Sequence, residues 1–332
     1  MKLKQKIDNS ANFLGEKPLQ IRKENLYYVN SYLNEVKKRS NDTYRNHKSV
    51  LSYFFQEVDK EIPDITMIDV RNYFNDYLDK RDIKLDSKET YRSVLMSFFY
   101  YVQALLLNQK IEFRNPVPIK KVYQFTQKDT DIKKQSEKDD KILSKEQLEM
   151  ILDYCKKNLR RRDFILFGLI SCTGARISEI RTIKTKDVNL EERYFETGFT
   201  KGARKSTYRQ NKGLLFFFTE RFMIYLKNYI LTLKNKKNWL FTSNKKGYLS
   251  NTQCYFIKKK IIRKLGFEFT FHTFRRSIIT YYTRNNISSE VREMLMNHKP
   301  SSIEGEHYLK LSIKEKRDLY DKYFPYYEIP YF

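Results

Sequence analysis

The chain has 332 residues, with 65 Lys and Arg against 40 Asp and Glu, a formal net charge of +25. That length serves about two domains of roughly 100–200 residues and buries a core that needs no disulfide or metal. Three cysteines without metal-ligand spacing (Cys155, Cys172, Cys254) argue against a disulfide framework, and nine glycines with neither GxGxxG nor GxxxxGK[ST] argue against a nucleotide-binding fold.

The first residues, MKLKQKIDNSANFLGEKP, have no apolar h-region, so no signal peptide is expected. Apolar runs such as FILFGLI at 164–170 fall far short of the ~20 residues of a membrane span. The expected setting is a reducing compartment, the cytoplasm, with no membrane partner. An excess of +25 points to a polyanion, most often nucleic acid. The bland alternative is an A·T-rich coding bias, which enriches Lys together with Asn, Ile, Tyr and Phe.

In chain order, residues 24–36 place Leu26, Val29, Leu33 and Val36 at helical spacing, and residues 43–58 repeat the pattern with Val50, Leu51, Phe54 and Val58. Pro63 and Asp64 break it. Thr66 caps a third helix carrying Val70, Tyr73, Phe74, Tyr77 and Leu78, and Ser87 opens a fourth. By this spacing the aromatics are core rather than base-stacking platforms. The basic residues opposite the apolar stripes, Arg45, Lys48 and Arg92 among them, are expected to face DNA.

Pro116 and Pro118 end the helical run. Residues 127–141 are almost devoid of apolar side chains and read as an exposed linker. The expected division is a helical DNA-binding domain over 1–125, a linker over 126–142 and a second domain over 143–332. In the second domain Ser144 and Gln147 form a capping box, a buried helix covers about 162–172, and another starts near Arg176 after Thr173-Gly174. Residues 194–210 are β-rich with Gly202 at a turn, and a short β element is expected around WLFTSNKKGYLS. Helices resume from Cys254 to a last one near 312–323. The fold class is therefore mainly α with a small β-sheet.

The chemistry-bearing residues cluster late. Three of the four histidines fall between residues 272 and 307, beside Arg275, Arg276 and Tyr308. His272 and Arg275 share a helix face, as do Arg176 and Glu179, and a carboxylate one turn from an arginine can fix its fork. Taken singly, each pair reads as a helix-face or surface ion pair.

Their order is more specific. CTGARISEIRTIKTKDVNL at 172–190 resembles the first arginine box of the tyrosine recombinases, the phage-integrase family, TG-x-R-x-SE. HTFR at 272–275 resembles its H-x-x-R box and MLMNHKP at 294–300 its LLGH box, with His298 twenty-three residues after Arg275. EHYLK at 306–310 resembles the segment of the nucleophilic tyrosine, and TKGARK at 200–205 the hairpin that presents a lysine. The resemblance covers roughly 144–325, and the N-terminal helices fit the family's core-binding domain. Two departures stand out. Asn297 replaces the LLGH glycine, and His298 to Tyr308 is ten residues, one more than the commonest spacing.

The resemblance implies a site-specific DNA recombinase, close in layout to simple Xer-type enzymes without an arm-binding module. Tyr308 would attack phosphorus to form a 3′-phosphotyrosine. Arg176 and Arg275 would grip the non-bridging oxygens, with Glu179 orienting Arg176. His272 would accept the tyrosine proton or bond the phosphate, His298 would donate to a non-bridging oxygen, and Lys201 would protonate the 5′-oxygen. Arg204 and Lys205 would bind DNA beside it, and His307 would be structural. Neither metal nor ATP nor any other cofactor is implied. The partners implied are a double-stranded recombination site and a homotetramer on two such sites, with room for an accessory DNA-bending protein, at the nucleoid. The aromatic end, KRDLYDKYFPYYEIPYF, would be exchanged between copies or packed on its own domain; the sequence leaves both open. Two other functions also stay open: a type IB topoisomerase-like DNA-relaxing enzyme and a non-catalytic helical DNA-binding regulator.

Overall fold

The computed structural model describes residues 21–81, 83, 85–122, 124–125, 142–197, 214–233, 238–243, 247–298 and 300–332. The chain divides into two compact units at residues 131 and 132. Residues 126–141 of the expected linker lie outside the described residues.

The first unit is built from α1 (Lys23–Arg39), α2 (Asn41–Glu57), α3 (Met67–Asn72) and α4 (Leu85–Asn108). Ser40 caps α2 by accepting the Thr43 amide, and Thr66 with Asp69 forms the capping box of α3. The expected third helix changes form partway: Tyr73–Leu78 is a π-helical stretch, which keeps Tyr73, Phe74 and Leu78 buried. The fourth begins at Leu85, so Ser87 lies inside the helix rather than opening it. Phe54, Phe98 and Phe99 interlock edge to face, with ring centroids 5.1 to 5.8 Å apart among Phe54, Phe99 and Phe98.

Arg92 corrects the expectation of a DNA-facing cation. It is 5% exposed, its guanidinium lies 4.3 Å from the Phe125 ring centroid and 5.9 Å from that of Phe74, and it donates to Glu89. A long stem lets an arginine turn its head into an aromatic core, where the ring quadrupoles favour the cation. Arg45 is exposed on α2 and Lys48 half-buried.

The second unit is organised around α6 (Arg161–Thr173), every residue of which from Asp163 onward is buried. Helix α5 (Lys145–Asn158) packs against it, opened by the Ser144–Gln147 capping box. Gly168 lets Phe222 of α8 (Glu220–Thr232) lie against α6: a Cβ there would sit 2.1 Å from Phe222 Cε2. Gly174 caps α6 in the left-handed region, φ 60°, and α7 (Ile177–Arg181) follows. A three-stranded antiparallel sheet comes next: β1 (Val188–Asn189), β2 (Tyr194–Thr197) and β3 (Leu214–Phe217), in that spatial order. Thr197 pairs with Leu214. Around WLFTSNKKGYLS the chain forms isolated bridges, Lys184 with Trp239 and Thr242 with Tyr248.

Helices α9 (Asn251–Leu265), α10 (Phe271–Arg284), α11 (Ser289–Leu295), α12 (Ile303–Lys310) and α13 (Ile313–Tyr323) complete the unit. The fold is mainly α with a small β-sheet, as the sequence predicts. Among the described residues no helix is long and apolar enough to cross a membrane.

The end of the chain packs on its own unit. Ile329, Tyr331 and Phe332 are buried, with Tyr331 against Phe164 at 5.5 Å and Phe332 against Phe222 at 6.0 Å. Tyr331 Oη donates to Asp153, and Lys145 pairs with Glu328. Phe332→Ala should therefore destabilise the second unit by about 3–5 kcal/mol, the usual loss for a buried phenylalanine. Denaturant unfolding checks this, with the loss independent of protein concentration. A loss that appears only at concentrations where copies associate would assign the segment to a neighbouring chain.

Candidate active site

Thr173 fixes the turn that follows α6. Its hydroxyl donates to the Leu169 carbonyl at 2.6 Å and accepts the Ala175 amide at 3.1 Å. Arg176 then stands at the N-cap of α7. Its backbone amide donates to Glu179 Oε2 at 2.6 Å, and its Nη1 donates to Oε1 at 2.9 Å. One carboxylate therefore holds both the main chain and the guanidinium. Glu179 is 2% exposed, whereas the Arg176 side chain is 45% exposed. The arginine projects into solvent from a buried anionic anchor, which presets the orientation of its fork.

Helix α10 supplies the second arginine. Thr270 and Thr273 form its capping box, which puts His272 in the first turn and Arg275 one turn later. Arg275 is buried. Its Nη1 donates to the Gly174 carbonyl at 2.9 Å and its Nη2 to the Met296 carbonyl at 2.5 Å. Burial lowers its pKa to about 10, the nearby Arg176 cation adds to this, and Glu179 opposes it. It stays charged at neutral pH. Those bonds leave other guanidinium N–H groups, since the fork carries five donors.

His272 lies on the exposed side of α10. Its pKa is held below the ordinary histidine value, first by desolvation and then by the Arg276, Arg275 and Arg176 cations. At neutral pH it is an uncharged imidazole, able to take up a proton.

His298 follows α11 in a turn that explains the unexpected Asn297. Asn297 has φ 50°, its amide bonds to the Met294 carbonyl at 3.1 Å, and the His298 amide bonds to the Glu293 carbonyl at 2.8 Å. This is the paired-bond helix ending that needs a left-handed residue, and asparagine is the side chain that tolerates it best after glycine. Asn297 Nδ2 also donates to the Leu215 carbonyl of β3 at 2.6 Å. His298 is half-buried.

Tyr308 is half-buried on α12 and rests on the core of the second unit. Ser302 caps α12 by accepting the Gly305 amide at 3.1 Å, and Glu293 Oε2 accepts the Ser301 amide at 3.0 Å, which joins α11 to the start of α12. His307 is exposed. Lys201, Arg204 and Lys205 lie outside the described residues, in the connection between β2 and β3. The structure thus brings Arg176, Glu179, Arg275 and His272 into one electrostatic group and joins the His298 turn to it through Met296.

Sequence reading missed the two carbonyls, Gly174 and Met296, that hold Arg275, because a main-chain acceptor leaves no mark in a motif. It also left Arg276 without a role, although its place beside His272 was legible. Among the described residues, no group of three or more His, Cys, Asp or Glu side chains could hold a metal ion, and the three cysteines are buried singly.

Residues 141–315 match the phage integrase family. The chain is 23% identical over 276 residues to tyrosine recombinase XerA of Saccharolobus solfataricus, covering 81% of this chain and 84% of that one. It is 26% identical over 297 residues to a tyrosine recombinase of Thermosipho africanus, covering 88% and 96%. Among solved structures it resembles the Tn1549 transposon integrase in complex with circular intermediate DNA, with a TM-score of 0.60, 14% identity and coverage of 88% of this chain and 97% of that one. It also resembles the XerH site-specific recombinase bound to its difH substrate, with a TM-score of 0.57, 17% identity and coverage of 90% of both chains.

The electrostatics make a direct prediction. His272 should titrate below 6.5 in the folded chain, and Arg276→Ala should move it back towards that value by removing one of the depressing cations. Imidazole chemical shifts followed against pH check both; an unchanged His272 in Arg276→Ala would mean that the two side chains do not couple.

Proposed function

The chain belongs to the phage integrase family of tyrosine recombinases, DNA strand-transfer enzymes, and we propose that its strand transfer runs through Tyr308 with Arg176, Arg275, His272 and His298 around the scissile phosphate. The observation that carries this reading is the arginine pair. One fork is presented to solvent from a buried carboxylate, and the other is held between two carbonyls, beside an imidazole kept neutral.

The reaction is a transesterification. Tyr308 Oη attacks phosphorus, the new P–Oη bond forms, and the P–O5′ bond breaks, leaving a 3′-phosphotyrosine and a free 5′-hydroxyl. Negative charge grows on the non-bridging oxygens. Arg176 can meet it bidentately, and Arg275 can use the donors its carbonyl partners leave free. His272, uncharged at neutral pH, accepts the phenolic proton, and His298 donates to a non-bridging oxygen. Lys201 delivers a proton to the departing 5′-oxygen, which is otherwise a poor leaving group. The partner strand's 5′-hydroxyl then reverses the chemistry at phosphorus, so the bond energy is kept and no nucleotide is consumed.

In the same reading the second unit is catalytic, and the first unit adds a helical DNA-binding surface that includes Arg45 and Lys48. The substrate is a duplex recombination site, and a homotetramer on two such sites, at the nucleoid, is the working assembly.

The test starts from DNA fragments with which the protein is incubated. Covalent complexes are trapped, and sequencing their attached ends gives the site for a defined duplex. Tyr308→Phe should bind this duplex as the wild type does and form no covalent product. A covalent band from Tyr308→Phe would move the nucleophile to another tyrosine. Arg176→Ala should cleave about 10²–10³-fold more slowly, the usual loss for one transition-state charge donor.

Lys201 has its own test. A duplex with sulfur in place of the bridging 5′-oxygen has a leaving group that needs no proton. Lys201→Ala should be slow on ordinary DNA and near wild type on the sulfur-bridged duplex, whereas Arg176→Ala should stay slow on both. Equal defects of Lys201→Ala on the two substrates would assign this lysine to phosphate binding.

A further inference from the structure

We propose that Asn297 is a positioning residue: its side-chain amide ties the turn of residues 296–298 to strand β3 and so sets where Arg275 and His298 meet the phosphate. The inference rests on the recombinase reading above.

The backbone requirement alone does not account for the residue. A left-handed position at φ 50° suits glycine at least as well as asparagine. What glycine lacks is the amide, and here Nδ2 lies 2.6 Å from the Leu215 carbonyl. The turn it holds has a site residue on either side. Met296, just before it, offers the carbonyl that takes Arg275 Nη2 at 2.5 Å, and His298 comes just after it.

The turn is also wedged against the first arginine's loop. A Cβ on Gly174 would lie 2.6 Å from Met296 Cε, so the Met296 side chain fills the space that glycine leaves. From the helix side, the turn is held by the bonds of Asn297 and His298 to Met294 and Glu293. From the sheet side, the Asn297 side chain holds it to the Leu215 carbonyl. Loss of the sheet-side tether loosens the turn about the end of α11, which would move the Met296 carbonyl and the His298 ring together. Reacting groups displaced by about 1 Å can lose ~10²-fold in rate. Removing a single tether, which weakens the placement without abolishing it, should cost less.

Two variants of the full-length chain test this on the duplex recovered from trapped covalent complexes. Asn297→Gly keeps the left-handed turn and removes the amide. Asn297→Asp keeps the shape and faces the Leu215 carbonyl with a second acceptor. Single-turnover cleavage should fall about tenfold in Asn297→Gly and at least as far in Asn297→Asp. DNA affinity and the unfolding midpoint of Asn297→Gly should stay close to wild type. A second substrate carries a methyl group in place of one non-bridging oxygen at the scissile phosphate, which removes its charge. The Asn297→Gly defect should shrink on this neutral linkage, because the fault lies in the grip on that charge.

Wild-type rates in both variants, or a defect of equal size on both linkages, would overturn the inference while leaving the recombinase reading intact. The failure of the recombinase reading looks different: the wild-type chain would then trap no covalent DNA at all.

Discussion

The second unit depends on one buried cation bridging two carbonyls. Arg275 leaves water and, in exchange, gains the Gly174 carbonyl at the end of α6 and the Met296 carbonyl at the end of α11. An unpaired charge buried this way would be costly, and removing one partner of such a set is usually worse than never having built it. The bridge therefore fixes the relative positions of three helices, α6, α10 and α11, at the point where their ends meet. Gly174 is part of the same constraint. Its carbonyl can turn toward the guanidinium because the residue sits at φ 60°, and the missing side chain makes room for Met296. The arginine of the proposed phosphate grip is also the one that holds the loops around it.

Much of this was legible in the sequence. The helices of the first unit follow from apolar spacing, because a period near 3.6 describes the buried face directly. The caps at Thr66 and Ser144 were readable for the same local reason: side chain and backbone partner lie three residues apart. The ordered boxes around Arg176, His272, Arg275 and His298 carried the family.

What escaped is non-local. Arg92 lies opposite an apolar stripe in sequence but swings its head onto Phe125, thirty-three residues away, and periodicity says nothing about such a turn. The end of the chain read equally well as packed or exchanged, because an aromatic-rich segment needs an apolar groove and the sequence does not say whose. Asn297 looked like a departure from a glycine motif. It became intelligible only with its φ and with the Leu215 carbonyl, eighty-two residues earlier in the chain.

Arg176, Arg275 and Arg276 all depress His272, and Glu179 is the carboxylate that counters Arg176. The group carries an excess of positive charge. Arg275 feels Arg176, and the imidazole is held neutral first by desolvation and then by Arg276, Arg275 and Arg176. On the proposed mechanism a phosphodiester entering between the forks would bring the missing negative charge. It relieves the repulsion between the arginines, and by the same field it makes protonation of His272 easier. On the proposed mechanism this is the moment at which His272 must take the proton of Tyr308. In that mechanism the base is weakest in the empty site, where desolvation and the nearby arginines oppose a positive charge on the imidazole. It strengthens when the substrate phosphate is in place. Coupling proton affinity to phosphate occupancy needs no moving part, only cations close enough to share one anion.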